Sequence, residues 1–311
     1  MSAFLDRLAA TAPLFVLIFV GYAITRWGRW PKVVGDALTR FVFGLALPAF
    51  LFSTLSDFSH LPPVDLRLLI AFFGGALLVF LLGRVLVARL LRLDGVSASV
   101  FALGGIFSNN VILGLPLARV TLGDVAIPSV ALVLIFNSLI LWTLVTVSVE
   151  WARHGELSAK GFVKTAQGVL ANPLIIAIFA GTAWGLTGWR LPALVTAPLA
   201  MLANVATPTA LIALGMGLAE YDLRKGIGAS LAVCAMKLLV CPLVVWLLAS
   251  LLHLPKLETE VVVLLASMSM GVNVYLMSRQ FQAFEAPTAT GMVLSTALAV
   301  VTTPIILAWM G

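Results

Sequence analysis

The chain has 311 residues, 61% of them hydrophobic and only 10% charged, with a mean hydropathy of +1.11. No water-soluble domain of this length carries so much apolar surface, so soluble enzymes and disulfide-stapled secreted proteins are excluded and the composition is that of an integral membrane protein. The net charge of +6 does not point to nucleic acid, because its distribution along the chain is a topology signal, as the spans show.

Apolar stretches of the ~17–25 residues needed to cross a bilayer recur throughout. They predict ten spans, at 9–26, 36–56, 66–91, 96–119, 125–149, 168–187, 195–218, 227–252, 259–281 and 287–309. Before the first, Asp6 and Arg7 precede an apolar run to Ile24 that ends in Arg26, Arg29 and Lys32, the charge order of a retained helix and not of a cleaved signal peptide. Sorting Lys and Arg onto alternate sides puts thirteen on one face and five on the other (Arg7, Arg67, Arg119, Arg190 and Lys256), with Lys237 in neither set. The positive-inside rule then places both termini outside, on the periplasmic side of an inner membrane. Trp27, Trp30, Trp151 and Trp189 fall near span ends, where interfacial anchors belong.

The fourth span is interrupted by Ser108-Asn109-Asn110 and then Gly114-Leu115-Pro116; the ninth by Gly271-Val272-Asn273. Amides beside Gly and Pro free backbone groups that hydrocarbon cannot satisfy, so each helix should be broken there and buried in protein. Shifting the chain by 160 residues lays Pro13 on Pro173, Gly21 on Gly181 and Pro48 on Pro208, and a shift of 163 lays Asn110 on Asn273. Two repeats follow, 1–150 and 167–311, joined by a cytoplasmic linker at 151–166 whose Arg153, His154, Glu156, Lys160 and Lys164 fit a short surface helix. Five spans per repeat force the second to enter from the opposite face, so the repeat is inverted and both breaks should meet at mid-depth. Pro48 and Pro208 each remove one helix bond and should kink their spans near the breaks.

Asn109, Asn110 and Asn273 are therefore the candidate substrate-binding residues, with Ser108, Gly114, Pro116, Gly271, Pro48 and Pro208 as hinge positions. Against this stands the reading that Asn and Gly merely hold helices together in lipid. Asn137 in the fifth span, and Ser295 and Thr296 in the tenth, could line the same cavity or bond their own helices. Tyr275 could stack on a planar substrate or simply pack. Lys237 is the one ionisable residue near the centre of a span, where insertion scales price a charge at ~2.5–3.5 kcal/mol. No Asp or Glu lies at its depth, so its complement is either an anionic substrate or the free carbonyls of a broken helix. Cys234 and Cys241, seven apart in one span, read as small core residues.

Several motifs together resemble the auxin efflux carrier family: LALPAFLF at 45–52, FSNNVILGLPLA at 107–118, NPLIIAIFAG at 172–181, MGVNVYLMSRQF at 270–281 and the closing STALAVVTTPIILAW. Bacterial members include proteins assigned to malonate transport. The resemblance implies ten helices in two inverted five-helix repeats, crossing where the fourth and ninth unwind, and an elevator-like motion of a transport part against a scaffold. The family roles carry over to Asn109, Asn110, Gly114 and Pro116 in the first crossing and to Gly271 and Asn273 in the second. Where members often have proline just before the second glycine, this chain has Ser269-Met270, leaving Gly271 and Asn273 to loosen that break.

The expected function is secondary transport of a small organic anion, a carboxylate such as malonate, with a sodium-coupled symporter resembling bile acid carriers as the alternative. Proton or sodium coupling and homodimerisation stay open, and neither a cofactor nor a metal site is expected. With the inside negative, moving an anionic charge inward costs ~2.3 kcal/mol per 100 mV, so efflux could run uncoupled and uptake could not. The Gly-rich ATP-binding loop, the hydrolase serine elbow and the paired zinc-binding histidines are missing from the sequence.

Overall fold

The computed structural model describes residues 2–57, 64–154, 171, 173–220 and 226–310. Among these the chain is helical: α1 Ser2–Arg26, α2 Lys32–Leu55, α3 Arg67–Leu90, α4 Gly95–Ile106, α5 Asn110–Leu122, α6 Ile127–His154, α7 Pro173–Thr187, α8 Ala193–Leu218, α9 Ile227–Leu251, α10 Lys256–Ser267, α11 Val272–Phe281 and α12 Glu285–Met310. Five of them, α2, α3, α8, α9 and α12, have 24 to 26 residues and are apolar enough to cross a bilayer. Shorter apolar stretches of 10 to 17 residues lie in α4, α5 and α7, in Thr11–Arg26 of α1 and in Asp124–Asn137, which enters α6. The linker expected at 151–166 is helical to His154 as the end of α6, and its remainder lies outside the described residues.

Apolar side chains are exposed along the outer helices, as on α3, where Leu77, Leu78, Leu81, Leu82 and Val85 stand free. In water such a stripe would be an aggregation surface; in a bilayer it faces the solvent it matches. Inside, a continuous apolar cluster runs from Leu14 to Leu307.

Prolines set the local helix geometry. A π turn occupies Val42–Ala46, Asn110–Gly114 and Met236–Val240, and each ends two residues before a proline, Pro48, Pro116 and Pro242. Proline has no N–H and its ring clashes with the carbonyl four residues back. Widening the preceding turn moves the pairing by one residue, so that Leu47 N–H reaches Val42 and Cys241 N–H reaches Met236. Pro208, expected to act like Pro48, instead sits within the uninterrupted α8.

The helices pack in two groups. In one, α1 lies on α8, and α2 lies on both α7 and α8. In the other, α3 packs on α4 and α9, α9 on α10 and α12, and α4 on α6; α1 also packs along α12 and joins the two groups. Glycines allow the closest approaches in the first group. A Cβ on Gly21 would stand 2.1 Å from the Ile212 carbonyl oxygen, and one on Gly181 would stand 2.9 Å from that of Phe52.

Candidate functional site

Both interrupted spans are broken in the structure, and the breaks touch. α4 ends at Ile106 and α5 begins at Asn110; α10 ends at Ser267 and α11 begins at Val272. The backbone between is extended, with Phe107 ψ at 101°, Met268 ψ at 155° and Gly271 ψ at 147°. Ser108 and Met270 form an isolated antiparallel bridge, flanked by Asn109 N–H to Ser269 O at 2.8 Å and Gly271 N–H to Phe107 O at 2.9 Å. Each break thus satisfies backbone groups of the other, the condition for non-helical chain at membrane depth. Side chains directly opposite in such a pair share a face, so Asn109 and Ser269 point one way, Ser108 and Met270 the other.

Glycine makes the approach close enough. A Cβ on Gly114 would meet Leu265 at 2.9 Å and Met268 at 3.3 Å, and one on Gly271 would meet Phe107 at 3.0 Å and the Ser108 carbonyl at 3.1 Å. Each break's glycine therefore lies against the opposite break. Pro116 follows the π turn that opens α5, where Asn109 O accepts from both Leu113 and Gly114 N–H.

The polar side chains at the junction are unusually unsatisfied. Ser108 Oγ, Asn109 Nδ2, both amide atoms of Asn110 and Ser269 Oγ are buried there with no hydrogen-bond partner among the described residues, as is Asn137 Oδ1 on α6. Asn110 is 1% exposed and Ser269 fully buried. Leaving one such group unmade costs about 1–3 kcal/mol, so a concentration of them marks a place built for something other than packing. The N-termini of α5 and α11 end at the same junction, each carrying roughly +0.5 charge on its free N–H groups. Donor amides and two positive helix ends complement a carboxylate.

A cavity of about 310 Å³ reaches this region from the side that bears Lys32. Lys32, Asp36 and Glu220 line it together with Thr39, Val42 and Phe43 of α2, Ala210 and Ala213 of α8, Ile112 of α5, and Val272, Asn273 and Leu276 of α11. It therefore lies between the two packing groups. Lys32 Nζ pairs with Glu220 Oε2 at 2.5 Å. Of the predicted site residues, only Asn273 lines this cavity; Asn109, Asn110, Ser108, Gly114 and Gly271 are buried at the junction beside it. Asn137 is buried on α6, and Pro48 and Pro208 sit on the helices that wall the cavity without lining it.

Lys237 is fully buried, within the π turn of α9, and its ammonium donates to the Ala266 carbonyl at the end of α10. It stands behind the second break, on a helix C-terminus whose orphan carbonyls carry partial negative charge. Ser295 Oγ accepts from Met270 N–H at 3.0 Å, and Thr296 donates to Met292 O at 2.8 Å. Lys32, Asp36, Thr39 and Glu220 were not singled out as site residues from the sequence. The signal available was charge and hydroxyl at the ends of the second and seventh spans, which reads equally well as interfacial decoration.

Two broken helices meeting in a bilayer-sized helical protein, beside a cavity that penetrates between helices, fit a multi-pass membrane transporter. Residues 7–307 match the family described as "Membrane transport protein", and the chain belongs to it, the auxin efflux carrier family. A "Putative malonate transporter" of Rhizobium meliloti (strain 1021) is 28% identical over 295 residues, covering 93% of this chain and 91% of its own length. A "Probable auxin efflux carrier component 5a" of Oryza sativa subsp. japonica is 32% identical over 151 residues, covering 46% of this chain and 40% of its own.

Proposed function

We propose that this protein carries a small organic anion, with malonate the first candidate, across the inner membrane by alternating access. The observation that carries the reading is the junction itself, where unpartnered Asn109 and Asn110 amides and two helix N-termini converge beside a cavity that holds Asn273. In this reading the three asparagines hydrogen-bond the carboxylate oxygens and the helix ends supply the positive potential. The name of the full-length Rhizobium relative supports malonate over larger acids.

The architecture we infer is two inverted five-helix repeats, 1–150 and 167–311, crossing at the breaks. Mirrored contacts support it. Gly21 meets Ile212 and Gly181 meets Phe52, two contacts that exchange when both partners are shifted by 160 residues. The Ser108–Met270 bridge joins the two breaks directly, as crossing helices require. The group holding both breaks would move as the transport part, against α1, α2, α7 and α8 as scaffold, and the cavity between them would be the inward-facing access route. Both termini would then lie on the periplasmic side, with Lys32 and Glu220 at a cytoplasmic mouth.

Uptake of labelled malonate into liposomes, at imposed voltages and pH gradients, tests this directly. Voltage-responsive carboxylate flux is expected, and flux confined to cations or neutral solutes would overturn it. A second reading, sodium-coupled symport, draws on the unpartnered oxygens of Ser108 and Asn110, which also suit a hard cation. Replacing sodium by choline in the same assay separates the two.

A further inference from the structure

The second break lacks proline, yet it is as complete as the first. In an unbroken helix from α10 into α11, the Ala266 carbonyl would accept from the Met270 N–H four residues on. In the structure both halves of that bond have been taken over. Lys237 Nζ donates to the Ala266 carbonyl, and Met270 N–H donates to Ser295 Oγ at 3.0 Å. The two side chains come from different neighbours, Lys237 from α9 and Ser295 from α12, and both are fully buried.

We propose that Lys237 and Ser295 are positioning residues that hold the second break open by this bond exchange, doing together what a proline at position 270 would do by removing the N–H. The proposal rests on the reading that the junction is the transport site. It acts through backbone groups: neither side chain lines the cavity. If the helix re-formed across 266–270, Lys237 would have to share the Ala266 carbonyl with the Met270 N–H in a site where no ion-pair partner is found among the described residues, and Ser295 would lose its donor. Weakening the hydrogen bond of a buried cation and unpairing a buried hydroxyl together offset what one backbone hydrogen bond returns, so the broken state is favoured.

Local sequence delivers Lys237 to this place. Pro242 widens the turn Met236–Val240, and the extra residue in that turn rotates the lysine relative to a regular helix. Met236 fixes the same turn, its Cε filling the notch left by Gly105, where a Cβ would stand 1.7 Å away. With Met268 to Gly271 kept extended, α11 begins at Val272 and Asn273 faces the cavity. Healing the helix would turn Asn273 out of register.

The test combines transport with hydrogen–deuterium exchange over 265–272 in the full-length protein. Ser295→Ala should slow malonate uptake about tenfold, and Lys237→Met more, as loss of a buried hydrogen-bond partner implies. Both should slow amide exchange in this segment as the helix closes. Met270→Pro added to Ser295→Ala should recover transport and fast exchange, because no N–H remains to re-pair. Lys237→Gln, which keeps a donor without the charge, should keep the KM for malonate within about threefold. Unchanged exchange in both Ser295→Ala and Lys237→Met would overturn the proposal whatever the transport result. A raised KM in Lys237→Gln with exchange unchanged would assign Lys237 to the substrate's charge instead. If the wild type moves no carboxylate, the proposed function fails while the exchange measurements still decide this inference.

Discussion

The two breaks reach the same extended geometry by different chemistry. At the first, local sequence does most of the work: Pro116 forces a π turn at the start of α5, Gly114 lets α10 approach, and the asparagine side chains are left unpartnered. At the second, distant residues do it, with Lys237 and Ser295 holding the ends of a severed helix bond. The first break is therefore free to offer its polar groups to a ligand, while the second spends polar groups from other helices on staying broken. Two breaks of similar backbone geometry need not be chemically alike.

The sharpest way to break that comparison is to remove the amides. Asn110→Ala should cut malonate flux about a hundredfold and Asn273→Ala about tenfold, since a bond to a charged ligand is worth ~1.5–3 kcal/mol and Asn110 offers two free amide atoms. Liposome kinetics with thermally stable variants would show it; equal losses would make the breaks equivalent as ligand sites, and unchanged kinetics in both would return them to helix packing.

A smaller effect should separate the α1–α8 contact from the α7–α2 contact. Gly21→Ala places a methyl 2.1 Å from a carbonyl and Gly181→Ala one at 2.9 Å, so Gly21 should cost more within the ~1–3 kcal/mol typical of overpacking. Melting temperatures in detergent would rank them. The reverse order would mean that α1 can shift on α8 more easily than α7 on α2.

The smallest concerns the helices leading into the breaks. Asp94 caps α4, accepting from Val96 and Ser97 N–H at 2.9 and 3.0 Å, whereas α10 begins after Pro255 with no side-chain cap. The Ser97 hydrogen bonds, with a smaller contribution from Val96, hold the Asp94 carboxyl below its ordinary value. A depressed carboxylate contributes stability above its unfolded pKa and loses it as pH falls through the folded one. Asp94→Ala should therefore cost about 1 kcal/mol at pH 7, and the gap from wild type should close in strong acid. A gap independent of pH would remove the cap from the comparison.

Much of this was legible in the chain. Helix existence followed from apolar runs, and the presence of two interruptions from residues that cannot continue a helix in lipid, although the non-helical stretches fall at 107–109 and 268–271 and Gly114, Pro116 and Asn273 lie in the helices that follow. The placement of Lys237 on a carbonyl was one of two readings open from the sequence, because a lone intramembrane cation must have some complement. Ser295 as the partner of Met270 was not legible, since nothing along the chain says which hydroxyl will face which freed N–H. Nor were Lys32, Asp36 and Glu220 at the mouth of the cavity, which meet only because α2 and α8 pack together.

The sequence by itself determined where helices run and roughly where they stop, because hydrophobicity, proline and glycine act on the backbone within a few residues of themselves. Tertiary structure alone decided which broken end meets which, and which polar groups are used up and which left free. Those depend on pairings between separate helices, 25 and 29 residues apart for Met270 with Ser295 and Lys237 with Ala266 and far longer for Ser108 with Met270, where the unsatisfied groups of one segment become the partners of another.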